Sequence, residues 1–477
     1  MSLPRFSIHG HFYQPTREDP FTGQTPPEGA ASPYRDWNDR IAAECYGPNA
    51  AAGNFARIGF DIGPTLARWL RRERPETHDA IAAQGHGRGA MAQPFHHAIL
   101  PLASTRDRRT EIIWGLRDAE LRFGHRPLGL WLPETAVDLL TLRIAAEEGV
   151  RYTILAPWQA ATTDLDTRRP YRVELGADRH IVVAFYQGAL SAAVSFEPSA
   201  TADVGRFVEQ RALPSVGEAL PDGHASLTLI ATDGELYGHH MPFRDLFLES
   251  LTTTPSDQLG LELTTIGDLL ADPHPAPMPV MAIRDQTSWS CHHGILRWSG
   301  ECPDAADGRW KRPLRVALER LAAAVDVVAE RDAAAVGVDV WAARDAWADV
   351  ASGYLDEAEA VERIQASAVR GRPATAAQIA TQETAARLAV LLRAETSRLA
   401  MFASDAWFWD DPSRQETTQA MLWAAHAARL IDELAGTRLE ATLVADLAAL
   451  RSPGSRLDGA ELYAMVLRAI GQPPPKG

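Results

Sequence analysis

Near the amino terminus Phe6, Ile8, Gly10 and Phe12 alternate with Ser7, His9, His11 and Tyr13. A period of two puts the first set on one face of a β-strand and the second on the other. Pro15, with no N–H to give to a ladder, ends the run. Apolar runs of strand length recur in "LGLWLPE", "VRYTILAP", "RHIVVAFY" and "SLTLIATDGE". Helical spacing begins near Thr110, covers Ala136 to Glu148, and returns in "PFRDLFLESL" after the last strand. Strands alternating with helices build βαβ units and a mostly parallel sheet. In such folds ligands gather at the carboxyl ends of the strands. The ring-bearing face of the first strand therefore meets water, packs, ligates a metal or binds the hydroxyls of a sugar.

The texture changes near Asp272. "ADPHPAPMPV" has the proline content of an extended connector. Beyond Trp310 the chain is rich in Ala, Leu and Arg. Leu314, Leu318, Leu321, Val325 and Val328 step by four, three, four and three, which is one face of a helix. Further helices are expected at 375–400, 414–435, 438–450 and 459–470. This divides the chain into an α/β domain over residues 1–275 and an all-α domain over 276–477.

A chain of 477 residues is long enough for more than one core. Its formal net charge of -15 argues against a nucleic-acid partner, because phosphate backbones are held by clustered Lys and Arg. A neutral substrate fits better. No apolar run approaches the ~20 residues that span a bilayer, and residues 1–15 lack the charged and apolar sections of a signal peptide. No membrane association is expected, and a cytoplasmic location is. Cys45, Cys291 and Cys302 are too few for a disulfide framework and suit a reducing compartment. Cys291-His292 with Cys302 matches no standard zinc spacing.

Two strand ends carry acids. "GLWLPE" closes on Pro133 and Glu134; by itself Glu134 reads as a surface acid near the next helix, where the dipole favours it. In "LIATDGELYGHHMPF" the residues Leu227, Leu229, Ala231 and Asp233 share one strand face, and Glu235, His239 and His240 follow. Asp-Gly is also a common turn former. Two acids at neighbouring strand ends are, however, what glycosidic cleavage needs: one protonates the leaving oxygen and the other meets the oxocarbenium-like carbon. Phe12, Tyr13, Trp131, Trp158, Tyr186 and Tyr237 offer ring faces for a sugar, or pack in the core.

"HGHFYQP", "WLPE" and "DGELYG", in this order and at these separations, resemble the motifs of glycoside hydrolase family 57. "AQPFHHAILPL", residues 92–102, is similar to a further motif, with Phe95-His96 where a pair of tyrosines is usual. Residues 287–298 are the counterpart expected for the fifth. "TSWSCHHGILRW" and "MFASDAWFWDD" look like the C-terminal region of one large branch. The resemblance implies a distorted (β/α)7 barrel followed by an all-α helical domain packed against it. It also implies retaining hydrolysis or transfer on α-glucans or maltooligosaccharides, of the amylase or 4-α-glucanotransferase type, with no metal or organic cofactor. Carried over motif by motif, Glu134 is the nucleophile and Asp233 the general acid/base. His9, His11, Tyr13, Gln14, His97, Trp131, Glu235, Tyr237, His240 and Trp289 would bind substrate, with Trp407 and Trp409 as an acceptor wall. Two alternatives stand beside it. A metal-dependent deacetylase- or α-mannosidase-like enzyme could use His9, His11 and a carboxylate, although the chain lacks an early Asp-Asp pair and a His-x-x-x-His motif. A non-catalytic carbohydrate binder could have kept the cleft.

Overall fold

The computed structural model describes residues 3–217, 220, 225–272, 277–369 and 382–473. They form two compact units, one of residues 1–14, 27–95 and 115–290, the other of 15–26, 96–114 and 291–477. The division at 290/291 falls later than the expected 275/276, and two short pieces of the first half belong to the second unit.

The first unit is built on a nine-stranded sheet. Its strands are β1 (Arg5–Phe12), β2 (Gly59–Ile62), β3 (Ala90–Ala92), β4 (Gly129–Leu130), β5 (Tyr152–Leu155), β6 (Tyr171–Gly176), β7 (Arg179–Phe185), β8 (Leu227–Asp233) and β9 (Glu262–Leu263). They run in the order β6-β7-β5-β4-β3-β2-β1-β8, with β9 paired to the start of β1. All pairings are parallel except the β6–β7 hairpin at the edge. Strands β1–β5, β7 and β8 are thus the seven parallel strands of the expected barrel. Among the described residues no ladder joins β7 to β8; a backbone bond, Gln187 N to Leu229 O at 2.7 Å, bridges their ends. The interior is continuous all the same: Met91, Trp131, Tyr152, Ile154, Val182, Ala184, Tyr186, Leu227, Leu229 and Ala231 form one buried cluster. The barrel is distorted, with a shared apolar interior in place of a ladder between β7 and β8.

Both faces of β1 are buried, unlike a strand with a solvated side. Phe6 and Phe12 turn outward, Phe6 against Phe207 with ring centroids 6.3 Å apart and Phe12 against Phe55 at 5.1 Å. Each such ring stabilises the fold by roughly 1.5–3 kcal/mol. Phe12 is therefore a core residue and not part of the rim. The alternate residues His9 and His11 turn inward.

Of the proline-rich connector, residues 273–276 lie outside the described residues. The segment beyond it is tied down. Val280 bridges to Arg172, Ile283 to Ala160 and Thr287 to Val137, so the chain is laid back along the first unit as far as Ser290.

The second unit is helical. Lys311–Ala335 buries Leu314, Leu318, Leu321, Val325 and Val328, the face read from the periodicity. Gln382–Ala400, Gln415–Ala435, Leu439–Leu447 and Gly459–Ala469 come after it. Of the helix expected at 375–400, residues 375–381 lie outside the described ones. Gly459–Ala469 starts on a capping box, Asp458 with Glu461, which satisfies two N–H groups the helix cannot.

Candidate active site

The pairing register places three residues in a row across adjacent strands: Asp61 on β2, His11 on β1 and Asp233 on β8. Asp61 lies fully buried between the two imidazoles of β1. His9 Nε2 meets Asp61 Oδ1 at 2.7 Å and His11 Nδ1 meets Oδ2 at 2.8 Å. Gln93, just beyond β3, donates to the same carboxylate and, at 3.0 Å, to the carbonyl of Phe12. Burial would protonate Asp61, but the two histidines hold it below the usual carboxylate range. Burial would likewise strip His11 of its proton. Asp61 outweighs it, Asp233 and Glu235 add to the pull, and the imidazole is raised to about 9. His11 is therefore a cation at neutral pH. Trp131 lies flat against both rings, 4.9 Å from His9 and 5.0 Å from His11, and Trp289 stands edge-on to Trp131 at 5.1 Å.

Glu134 follows Pro133 at the end of β4 and adopts φ +56°. A side chain in the left-handed region costs on the order of 1 kcal/mol or more and persists only where its surroundings fix it. Here Trp289 N donates to Glu134 O at 3.0 Å, and Gln159 clamps the next residue through Thr135 Oγ1 at 2.9 Å and Thr135 O at 2.8 Å. The carboxylate receives Trp289 Nε1 at 3.1 Å and Ser290 Oγ at 2.6 Å, both on Oε2. Burial raises its pKa; the Ser290 bond opposes that, and the charge of Asp233 adds to it.

Asp233 ends β8 as an exposed residue. Crowding by protein raises its pKa, opposed by the charges of His11 and His240 and aided by Asp61. Two residues on, Glu235 is buried and accepts a hydrogen bond of 2.6 Å from Tyr46, whose hydroxyl Gln14 also engages. Burial, with Asp233 nearby, takes Glu235 up to about 7. Its carbonyl accepts the N–H of His239 at 3.0 Å and of His240 at 2.9 Å, which fixes the turn. Tyr237 is buried, with Asn49 Nδ2 donating to its carbonyl at 2.6 Å. Tyr13 stacks on His11 with centroids 6.3 Å apart.

Of the expected residues, His9, His11, Tyr13, Gln14, Trp131, Glu134, Asp233, Glu235, Tyr237, His240 and Trp289 all belong to the first unit. Residues 287–290, at the start of the stretch expected to form the fifth motif, deliver Trp289 and Ser290 to Glu134. His97, Trp407 and Trp409 belong to the second unit. There His97 Nδ1 meets Ser404 Oγ at 2.8 Å and its carbonyl accepts Ser404 N at 3.0 Å, so His97 braces the segment that carries both tryptophans. Trp407 is fully buried, parallel to Phe402 at 6.2 Å and capped by the Arg315 guanidinium at 4.4 Å. Trp409 is 40% exposed, with Arg414 over its ring at 4.4 Å. A cavity in the second unit, lined by Asp107, Arg315, Asp326, Arg398 and Phe402 among others, contains none of the strand-end acids. Arg398 already pairs there with Asp107 at 2.7 Å and Asp326 at 2.8 Å.

Sequence reasoning missed Asp61, Gln93, Tyr46 and Ser290. Asp61 did leave a signal: it is the single charge inside the apolar tetrapeptide "GFDI".

Carboxyl groups beside two indoles, at the strand ends of a parallel barrel, are the equipment of a glycoside-cleaving site. The chain belongs to glycosyl hydrolase family 57, whose model matches residues 6–281. A second model, described as a domain of unknown function (DUF3536), matches residues 307–471. No curated protein matches the chain. Among solved structures, an exo-type maltose-forming amylase from Pyrococcus sp. ST04 is similar with a TM-score of 0.71 at 14% identity, over 97% of this chain and 88% of that one. A family 57 branching enzyme from Thermococcus kodakaraensis gives 0.61 at 15% identity, over 96% of each chain. A 4-alpha-glucanotransferase from Thermococcus litoralis gives 0.53 at 15% identity, over 88% of this chain and 60% of that one. At these identities the likeness establishes the fold.

Proposed function

We propose that the protein is a retaining glycoside hydrolase or transglycosylase acting on α-linked glucans, with Glu134 as nucleophile and Asp233 as general acid/base. One observation carries the reading. Asp233 at the end of β8 lies beside His11 in the β1–β8 register, and Glu134 beyond β4 is held by Trp289 and Ser290, with Trp131 against His11 and Trp289. The named activities of the amylase, branching enzyme and glucanotransferase of like fold point to an α-glucan as the substrate class.

In this mechanism Glu134 Oε1 attacks the anomeric carbon, while Oε2 stays bonded to Trp289 and Ser290 so that the carboxylate cannot rotate away. Asp233 protonates the departing oxygen. Forming the glycosyl-enzyme removes the charge of Glu134, which lowers the pKa of Asp233 and lets it accept the proton of the incoming water or sugar hydroxyl. His11, the imidazole whose charge reaches the acids, serves the sugar hydroxyls and the developing charge balance. His9 supports it through Asp61.

The test is ¹H NMR of the first-formed anomer on a panel of maltooligosaccharides and longer α-glucans. Retention of the α configuration is expected. An inverted product, or a zinc-dependent activity lost on substituting His9 and His11 with α-glucans untouched, overturns the proposal.

A further inference from the structure

Outside the acid cleft, the second unit opens on a group the family assignment does not use. Cys291, His293, Cys302 and Asp304 each offer one ligand atom, and the four atoms all lie within 4.8 Å of one another. Cys291 Sγ is 3.5 Å from Cys302 Sγ, which is 3.7 Å from His293 Nδ1, itself 3.2 Å from Asp304 Oδ2. For a tetrahedral ion with metal–sulfur bonds of about 2.3 Å and metal–nitrogen or –oxygen bonds of about 2.0–2.2 Å, ligand–ligand edges come to roughly 3.2–3.8 Å. The three separations fall in that band. A disulfide needs ~2.05 Å between sulfurs, and both cysteines are free.

We propose that Cys291, His293, Cys302 and Asp304 form a structural zinc site. The donor set is two thiols, an imidazole and a carboxylate, which suits the borderline softness of Zn²⁺. All four positions come from the protein, so no vertex is left for water or substrate, and the site is structural. Binding replaces the two thiol protons, which leave to solvent, and the ligands then total three negative charges around a dication. The cysteines are buried while His293 and Asp304 face solvent, so the ion has a short route in. The backbone is shaped for it. Gly294 N bonds to Cys291 O at 3.2 Å and Ala305 N to Cys302 O at 2.9 Å, each folding the chain at a ligand. Gly308 passes so close that a Cβ there would stand 3.0 Å from Gly300 O and 3.1 Å from Glu301 Cα. The C-x-H-x8-C-x-D spacing departs from the usual zinc patterns, and its histidine is His293 where the sequence drew the eye to His292. His292 also reaches Asp304, at 3.4 Å, but its side chain is 95% exposed.

The full-length protein, purified under reducing conditions and reconstituted with zinc, should hold about one zinc per chain by ICP-MS. Cobalt substitution should give the thiolate charge-transfer and intense d–d bands of a tetrahedral site. Cys291→Ser and Cys302→Ser should abolish both signals, and Cys45→Ser should leave them. The solvent-facing changes His293→Ala and Asp304→Asn test the site without disturbing buried groups, and should weaken zinc affinity by about tenfold or more. Zinc removal should lower the Tm while the His9→Ala variant keeps its metal. Failure of the reduced protein to take up zinc or to give the cobalt spectrum overturns the proposal. So does zinc retained in both cysteine variants, or lost from the His9 variant alone.

Discussion

At the residue scale the two acids differ in what holds them. Glu134 is pinned by two donors on one oxygen, whereas the neighbours of Asp233 are charges: His11, His240 and Asp61. A pinned carboxylate suits attack and a less tethered one suits proton transfer in both directions. Glu134→Ala should therefore abolish turnover even with an activated aryl glucoside. Asp233→Ala should recover about tenfold or more when azide is added, with retained configuration, because azide attacks the intermediate without base help. The opposite pattern, with azide giving a retained product from Glu134→Ala and an inverted one from Asp233→Ala, would reverse the roles. Glu235 makes a separate prediction. Its folded pKa of about 7 lies above the ordinary 4.5, so the folded state holds a proton the unfolded chain gives up. The stability this contributes is complete below 4.5 and lost as pH rises through about 7. Glu235→Gln keeps an acceptor for Tyr46 but cannot ionise. Relative to wild type it should be neutral below about pH 4.5 and more stable by up to about 3 kcal/mol above about pH 7, read by urea unfolding across pH. A difference that does not change with pH would refute it. The motif acids were legible in the sequence because they close recognisable strands. Asp61 left only the lone charge of an apolar tetrapeptide, and its meaning depends on the β1–β2 register.

Among the elements, β1, β4, β5, β7 and β8 lie inside apolar runs legible in the sequence, whereas β2 and β3, of four and three residues, give too little pattern to register and gain their conformation from their neighbours. The glycine of "DGELYG" shows how element contacts rewrite a local reading. Asp-Gly looks like a turn former, yet Gly234 does not have a positive φ. It is glycine because the ring of Phe12, on the outer face of β1, lies where a Cβ would be, at 2.4 Å. β1 and the end of β8 are thus in contact on both sides of the sheet, His11 beside Asp233 within and Phe12 against Gly234 without. Gly234→Ala should push the strand ends apart, costing about 1–3 kcal/mol of stability. Because it moves Asp233, kcat should fall about ten- to a hundredfold with KM less affected. A loss of Tm with kcat intact would mean that the Phe12 contact serves folding alone.

For the whole molecule, periodicity separated a parallel α/β half from a helical half, and the described residues agree. It could not assign 15–26 and 96–114 to the second unit, because that depends on partners hundreds of residues away in the chain. Among the contacts that tie residues 96–114 to that unit is a buried polar network. Arg344, with no exposed surface, pairs with Glu395 at 3.0 Å and Asp107 at 3.1 Å, and donates to Thr110 Oγ1 at 3.0 Å. Arg398 shares Asp107 and adds Asp326. Three carboxyls thus divide two guanidiniums, and burial pushes Glu395 up to about 6 despite them. Such a network adds little net stability over apolar packing, but breaking it is costly because the remaining charges stay buried without a partner. Arg344→Met fills most of the volume and removes the charge. It should lower unfolding stability by about 3–5 kcal/mol, and residues 96–114 should become the earliest to exchange by hydrogen–deuterium mass spectrometry. The double variant Arg344→Met with Glu395→Leu removes the stranded carboxyl and should recover a large part of that loss. If the double variant proved as unstable as the single one, the cost would lie in lost packing around Arg344. The assignment of residues 96–114 to the helical unit would then owe little to this charge network.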